Sequence, residues 1–468
     1  MVKCAHAWAS MASKTSEDVP SLGQVKAALL RSYLECTERG LQYSANWAIE
    51  LASGIEDDAE VAGAPEAPSR SPQLQAELCQ YYYAQSLHRL GEYRRAAHAL
   101  ASCQSPEAFF LRCYSLYLAG EKQKEDERVD AIGPDEERRM ENEELLSLKR
   151  ELAERAGAKT LDSYGYYLYG VVLRELSCKK DAREAQMMSL SLQPLFWGAW
   201  SELASLCDSR EMLYGLSLPY HWLKDFFLAA ASLNLSLLDD ALSYYTNLSL
   251  VGFLSSSYIT AQLALAHYHK KDYVSACGLF GDLRRNDPQR LTDLDVFSHM
   301  LFVMEKLQEL TQLTQEVIKI DMYRAETCSV LGNFYSLRGN HDKAIAYFRR
   351  AIRLNPGDHS AWILLGHEYL EKKNSCMALE AYSRGIAANK QDLRGYYGMG
   401  HVYEMLEMPH YALYYYKQAH RLRASDPRVL LAMGLCYEDL ARWEESKKCL
   451  KRAIAMKDPE GTAIIRLA

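Results

Sequence analysis

From residue 325 onward the chain repeats itself every 34 residues. Leu331-Gly332, Leu365-Gly366, Met399-Gly400 and Met433-Gly434 stand one period apart. Counted from residue 325, the eleventh position holds Tyr335, Tyr369, Tyr403 and Tyr437, and the twentieth holds Ala344, Ala378, Ala412 and Ser446. Phe348, Tyr382, Tyr416 and Leu450 form a further column, and Ala351, Gly385, Ala419 and Ala453 complete the register. A fixed period of this length makes each unit one supersecondary element that cannot bury its apolar face alone. Neighbouring units must therefore stack.

Each column has a physical reason. A unit of this length accommodates two antiparallel helices joined by a short turn such as Arg338-Gly339-Asn340. Small residues at the eighth and twentieth positions let the two helix backbones approach, and the aromatic columns fill the wider gaps. Pro356 stops a helix, with Asn355 as a turn residue before it. Only 13 prolines and 25 glycines occur in 468 residues, too few for many tight β-turns, while 32 tyrosines suit the seams between stacked helices. The pattern resembles the tetratricopeptide repeat, which implies an all-α superhelical solenoid.

The register runs upstream with falling fidelity. Ala276, Phe280 and Pro288 mark a unit near 257–290, and Ala241 with Tyr245 mark one before it. Gly170, Ala182 and Pro194 define another, Trp200 and Ala204 start the next, and Ala84, Gly91 and Ala96 mark an early one. The unit at 291–324 keeps its length but carries Leu310 where alanine belongs. These marks divide the chain into a disordered lead-in (1–23), a helical segment with a flexible Ala/Pro/Ser-rich loop (24–70) and N-terminal repeats (71–120). A charged insertion with an amphipathic helix (121–157) precedes middle repeats (158–290), the degenerate repeat (291–324) and four well-formed repeats (325–460). In the insertion the run EKQKEDERVD reads as solvated. Leu145, Leu146, Leu148 and Leu152 form the helix's apolar side, Pro134 suits its start and Gly157 its end. Residues 461–468 read as an uncapped end, with Ile464, Ile465 and Leu467 on a face meant for a following helix.

Composition removes several functions. A formal charge of −7 and no long Lys/Arg run argue against nucleic acid, and the cluster Lys447, Lys448, Lys451 and Arg452 reads as a solvated helix face. Twelve cysteines without a Cys-x-x-Cys pair point to a reduced compartment, and the absence of a long apolar run argues against a membrane span. Met1–Pro20 has Lys3 but no apolar core or cleavage pattern, so a secretory signal is not expected. No phosphate loop, nucleophile elbow or His-Glu-x-x-His pair occurs. His267 and His269 stand two apart on a helix and diverge. No catalytic residue, cofactor or metal is assigned.

Binding is the remaining function. The first helix of each pair should line a concave groove, with positions two, five, nine and twelve on one face. These are Glu326, Ser329, Asn333 and Ser336, then Ser360, Ile363, His367 and Leu370. The next two units supply Arg394, Tyr397, His401 and Glu404, then Arg428, Leu431, Leu435 and Glu438. Asparagine, histidine and tyrosine can bond a peptide backbone, and Glu326, Glu404 or the neighbouring Glu368 can pair with an arginine.

Segments that the repeat does not demand carry a narrower resemblance: YGYYLYGVVLREL (164–176), PLFWGAWSEL (194–203), AWILLGHEYLEKKN (361–374) and GYYGMGHVYEMLEMPHYALYYYKQAHRLR (395–423). From about residue 24 onward the chain resembles the anaphase-promoting complex subunit eight family, the cell division cycle protein 23 homologues. The resemblance implies a non-catalytic scaffold subunit of a ubiquitin ligase that drives mitotic exit, found in nucleus and cytoplasm, with catalysis left to other subunits. It implies a homodimer formed through N-terminal repeats, and a groove that takes an arginine-containing motif from β-propeller coactivators. Asn333 and Glu368, with Tyr397 nearby, match that groove. The family continues beyond the equivalent of Ala468 with further helical repeats and a polar tail. A free-standing adaptor or co-chaperone is the rival class, and the groove positions lack the lysine clamp it would use.

Overall fold

In the computed structural model, residues 21–55, 72–130, 142–253, 255–423, 426–456 and 462–467 are described. They form α-helices and, among the described residues, no strand. The lead-in up to residue 20, the loop at 56–71 and the Pro134 helix start lie outside them. The chain divides into two compact units, Met1–Asn286 and Asp287–Ala468.

The N-terminal unit opens with a hairpin, α1 (Leu22–Glu38) and α2 (Gln42–Ser53). Then come α3 (Pro72–Arg89), α4 (Tyr93–Ala99), α5 (Pro106–Asp130) and α6 (Glu144–Gly157). Helix pairs follow: α7 (Ser163–Glu175) with α8 (Lys179–Leu192), and α9 (Trp197–Ser205) with the short α10 (Arg210–Gly215). The last are α11 (Leu223–Asn234) with α12 (Leu238–Val251), and α13 (Ser257–His269) with α14 (Tyr273–Asn286). The charged run at 121–130 continues α5, with Lys122, Glu125, Asp126 and Glu127 exposed. Of the leucines on α6, Leu145, Leu148 and Leu152 are buried and Leu146 is exposed, as one apolar face at helical spacing requires.

The C-terminal unit stacks five pairs and a last short helix. Its first helices are α15 (Leu294–Val303), α17 (Ala325–Leu337), α19 (His359–Glu371), α21 (Leu393–Met405) and α23 (Pro427–Asp439). Their partners are α16 (Leu307–Ile320), α18 (His341–Leu354), α20 (Ser375–Ala388), α22 (Pro409–Leu422) and α24 (Trp443–Ala455), and α25 (Thr462–Leu467) ends the unit. The columns are its core: Ala344, Phe348, Ala378, Tyr382, Ala412 and Tyr416 are fully buried. The glycine column works differently from the backbone-to-backbone approach its size suggested. A Cβ on Gly366 would lie 2.6 Å from the Tyr382 ring and one on Gly400 2.5 Å from the Tyr416 ring. Gly332, Gly366 and Gly400 each seat their own repeat's aromatic side chain, and Gly434 seats Leu450.

Caps recur with the same period. Asp358, Asp392 and Asp426 each accept a backbone N–H from the first turn of the helix that follows. Each hairpin turn places one residue at positive φ: Gly339, Lys373, Glu407 and Ala441 in successive repeats. The next N–H then bonds a carbonyl five residues back, Asn340 to Tyr335 and Asn374 to Tyr369 at 2.9 Å, closing a Schellman turn.

Candidate protein-binding groove

The first-helix face of the C-terminal unit sorts its side chains by depth. His367, His401 and Arg428 are exposed; Glu326, Ser336, Ser360, Arg394, Tyr397, Glu404, Leu431, Leu435 and Glu438 are half-buried. Ser329, Asn333, Ile363 and Leu370 are buried, so the face runs from exposed to deeply buried positions. Neighbouring first helices approach closely enough to draw these side chains between them.

The two residues singled out by resemblance sit deep and are held. Asn333, 1% exposed, donates from Nδ2 to Ser298 Oγ at 2.8 Å. Glu368, 5% exposed, accepts from Ser336 Oγ at 2.5 Å on one oxygen and from His341 Nδ1 at 2.9 Å on the other. Arg394 is gripped by Asp392, with Nη2 2.8 Å from Oδ2, and by Ser360 Oγ at 2.9 Å, so it acts as a fixed wall. That guanidinium holds the Asp392 carboxyl below the usual range despite its burial. Glu326 pairs with Arg324 at 2.9 Å.

The aromatic column reaches this face through its hydroxyls. Tyr416 donates to Glu404 at 2.7 Å, with the Tyr397 ring 5.5 Å from its own, and the Tyr382 hydroxyl lies 2.7 Å from His367 Nδ1. His367 touches solvent yet is surrounded by protein, which lowers its pKa to about 4 with help from the Arg394 and His401 charges.

The degenerate repeat adds residues that sequence reading missed. Asp295 and His299 occupy its fifth and ninth positions. Burial and the charges of Asp358 and Asp293 raise the Asp295 pKa to about 7, while burial and Arg394 lower His299 to about 3. The signal was available, since the unit keeps its length; only its packing columns had decayed. Among the described residues no group of three His, Cys, Asp or Glu is placed to hold a metal ion, and no helix is long and apolar enough to cross a membrane. The face offers fixed hydrogen-bonding groups, which is the equipment of peptide recognition.

Stacked helix pairs with this register define a tetratricopeptide-repeat protein, and residues 325–358 and 427–458 each match the tetratricopeptide repeat. Residues 24–264 match the family described as anaphase promoting complex subunit 8 / Cdc23, to which this chain belongs. It is 44% identical over 285 residues to "Anaphase-promoting complex subunit 8" of Arabidopsis thaliana, covering 61% of this chain and 49% of that protein. It is 45% identical over 305 residues to "Cell division cycle protein 23 homolog" of Homo sapiens, covering 65% and 51%. The Dictyostelium discoideum subunit 8 is 33% identical over 401 residues, 74% of this chain and 67% of that one. The chain thus spans about half the length of the first two relatives. The crystal structure of the APC/C hetero-tetramer Cut9-Hcn1 superposes with TM-score 0.62 at 16% identity, covering 97% of this chain and 81% of that one, a likeness of fold.

Proposed function

We propose that this chain is a non-catalytic scaffold and protein-binding subunit of the anaphase-promoting complex, working in mitotic exit in nucleus and cytoplasm. The observation that carries this reading is membership of the subunit 8 family across residues 24–264. In the same reading the groove of the C-terminal unit receives an arginine-containing motif of β-propeller coactivators. Asn333 and Glu368 are the anchors, and Tyr397, Glu326, His367, Arg394, His401 and Glu404 form the surroundings. The partners are other subunits of the complex and a second copy of the chain, met through N-terminal repeats. Tyr43, Tyr83 and Leu90, exposed on or just after α2 and α3, supply apolar surface for that pairing.

Affinity purification of the tagged full chain tests the assembly. Recovery of the complex's other subunits is the expected result; their absence overturns the reading. Glu368→Gln and Asn333→Ala should reduce coactivator recovery while leaving the other subunits bound. Light scattering of the purified chain should give the dimer mass, and Leu90→Asp should shift it to the monomer.

A further inference from the structure

The hydrogen bonds around the two groove anchors each have a fixed direction. Ser298, fully buried on α15, donates its proton to the Asp295 carbonyl at 2.7 Å. A hydroxyl has one proton, so Ser298 offers Asn333 only a lone pair, and the amide must present Nδ2 to it. The Asn333 Oδ1 is thereby turned away from Ser298. At the other anchor, Ser336 and His341 both donate into the Glu368 carboxylate. Asn333 and Ser336 stand three residues apart on α17, on one side of the helix, so the anchors belong to one site.

We infer that Ser298 is a positioning residue that sets the specificity of this site. By fixing the Asn333 amide it leaves both anchors as hydrogen-bond acceptors, an oxygen from an amide beside a carboxylate. Such a lining takes a side chain that only donates, and a planar guanidinium with its five N–H groups fits it best. The inference rests on reading Asn333 and Glu368 as anchors. It also gives the degenerate repeat a role: it has lost its small-residue columns and keeps the one serine that orients its neighbour's asparagine.

The test uses the full chain and one coactivator peptide made twice, with its arginine or with citrulline, which keeps the shape but replaces a donor by an acceptor and removes the charge. Fluorescence anisotropy measures both affinities. The parent chain should prefer arginine by about tenfold or more, as expected where a charge-assisted bond is lost and acceptors face each other. Ser298→Ala releases the amide to rotate, and the preference should fall to roughly threefold. Asn333→Asp, with acceptors on both sides, should restore the preference in the Ser298→Ala background. Ser298→Cys, nearly the same volume with a weaker acceptor, should behave like Ser298→Ala and serves if the alanine variant folds poorly. A preference unchanged by Ser298→Ala or Ser298→Cys in a folded chain overturns the inference. If Glu368→Gln also leaves arginine-peptide affinity unchanged, the anchor reading falls with it; if Glu368→Gln weakens binding, Ser298 alone is dismissed.

Discussion

In the N-terminal unit the first-helix face is covered by the chain's own opening hairpin, whereas in the C-terminal unit it is lined by polar side chains that reach solvent. Trp47 of α2 stacks on Trp197 at the start of α9, with ring centres 4.2 Å apart, and meets Phe226 of α11 and Tyr258 of α13 edge-on. The contact is close. A Cβ on Gly198 would lie 2.7 Å from Ser44 Oγ, and one on Gly54 2.6 Å from the Ser256 backbone. Along α1, Glu35 takes hydrogen bonds from Arg31, Tyr164 and Gln193, and Arg39 lies 4.0 Å over the Tyr164 ring beside Asp162. One architecture thus takes two forms. Filled with aromatic side chains, the face becomes a core; left open, it presents oriented polar groups.

The largest effect should come from emptying the filled face. Trp47 is 3% exposed, and truncating a buried tryptophan costs about 3–5 kcal/mol. Trp47→Ala should therefore loosen α1–α2 and raise hydrogen exchange across α9 and α13, while α19 and α21 stay protected. His401→Ala, on the exposed face, should change stability by less than about 0.5 kcal/mol. Equal effects would erase the distinction between the two faces.

A second effect separates the packing columns from the groove. Gly366→Leu drives a side chain into the Tyr382 ring, and Ala412 is fully buried, so Ala412→Phe overpacks the next repeat. Overpacking costs ~1–3 kcal/mol, and thermal melts should show both variants well below the parent.

The open face should also respond to pH. Asp295 titrates at about 7 in the fold against 3.8 for its ordinary value. Between those values the folded chain holds a proton that the unfolded chain has released, so this contribution to stability falls as pH rises from about 4 to about 7. Asp295→Asn should flatten that slope and raise the melting temperature at pH 8 by about 2–4 °C. A slope left intact by the substitution would place the titration elsewhere.

Much of the C-terminal unit was legible because its information is local and periodic. Gly366, Tyr382 and Ala412 lie in columns one period long, and the helix pairs follow from them. The hairpin's place was not legible. Trp47 meets Trp197 across 150 residues, in a segment that carries no repeat. Register also located Asn333 on the groove side without showing how deep it lies, since depth depends on how closely α15 approaches α17. Asp295, Ser298 and His299 were not legible because the alanine column that marks a repeat is replaced by Leu310 in their unit.

The smallest expected effect tests what the two units share. The hairpin turns of both units recurrently place one residue in the left-handed region, which glycine enters freely and other residues enter with strain. Gly339 meets that need in one repeat, but Ala441 adopts φ 55° in the last and Ser236 φ 58° in the N-terminal unit. The same bonds close both turns: Ala441 N–H to Glu438 and Arg442 N–H to Tyr437 in one, Ser236 N–H to Leu233 and Leu237 N–H to Ser232 in the other. Because the geometry is common, relief of strain should be common too. Ala441→Gly and Ser236→Gly should each raise stability by roughly 0.5–1 kcal/mol, the left-handed penalty less glycine's added freedom in the unfolded chain. Equal gains would confine the difference between the units to their inner faces. A gain at Ala441 alone would mean that the covering hairpin also constrains the turns of the unit it fills.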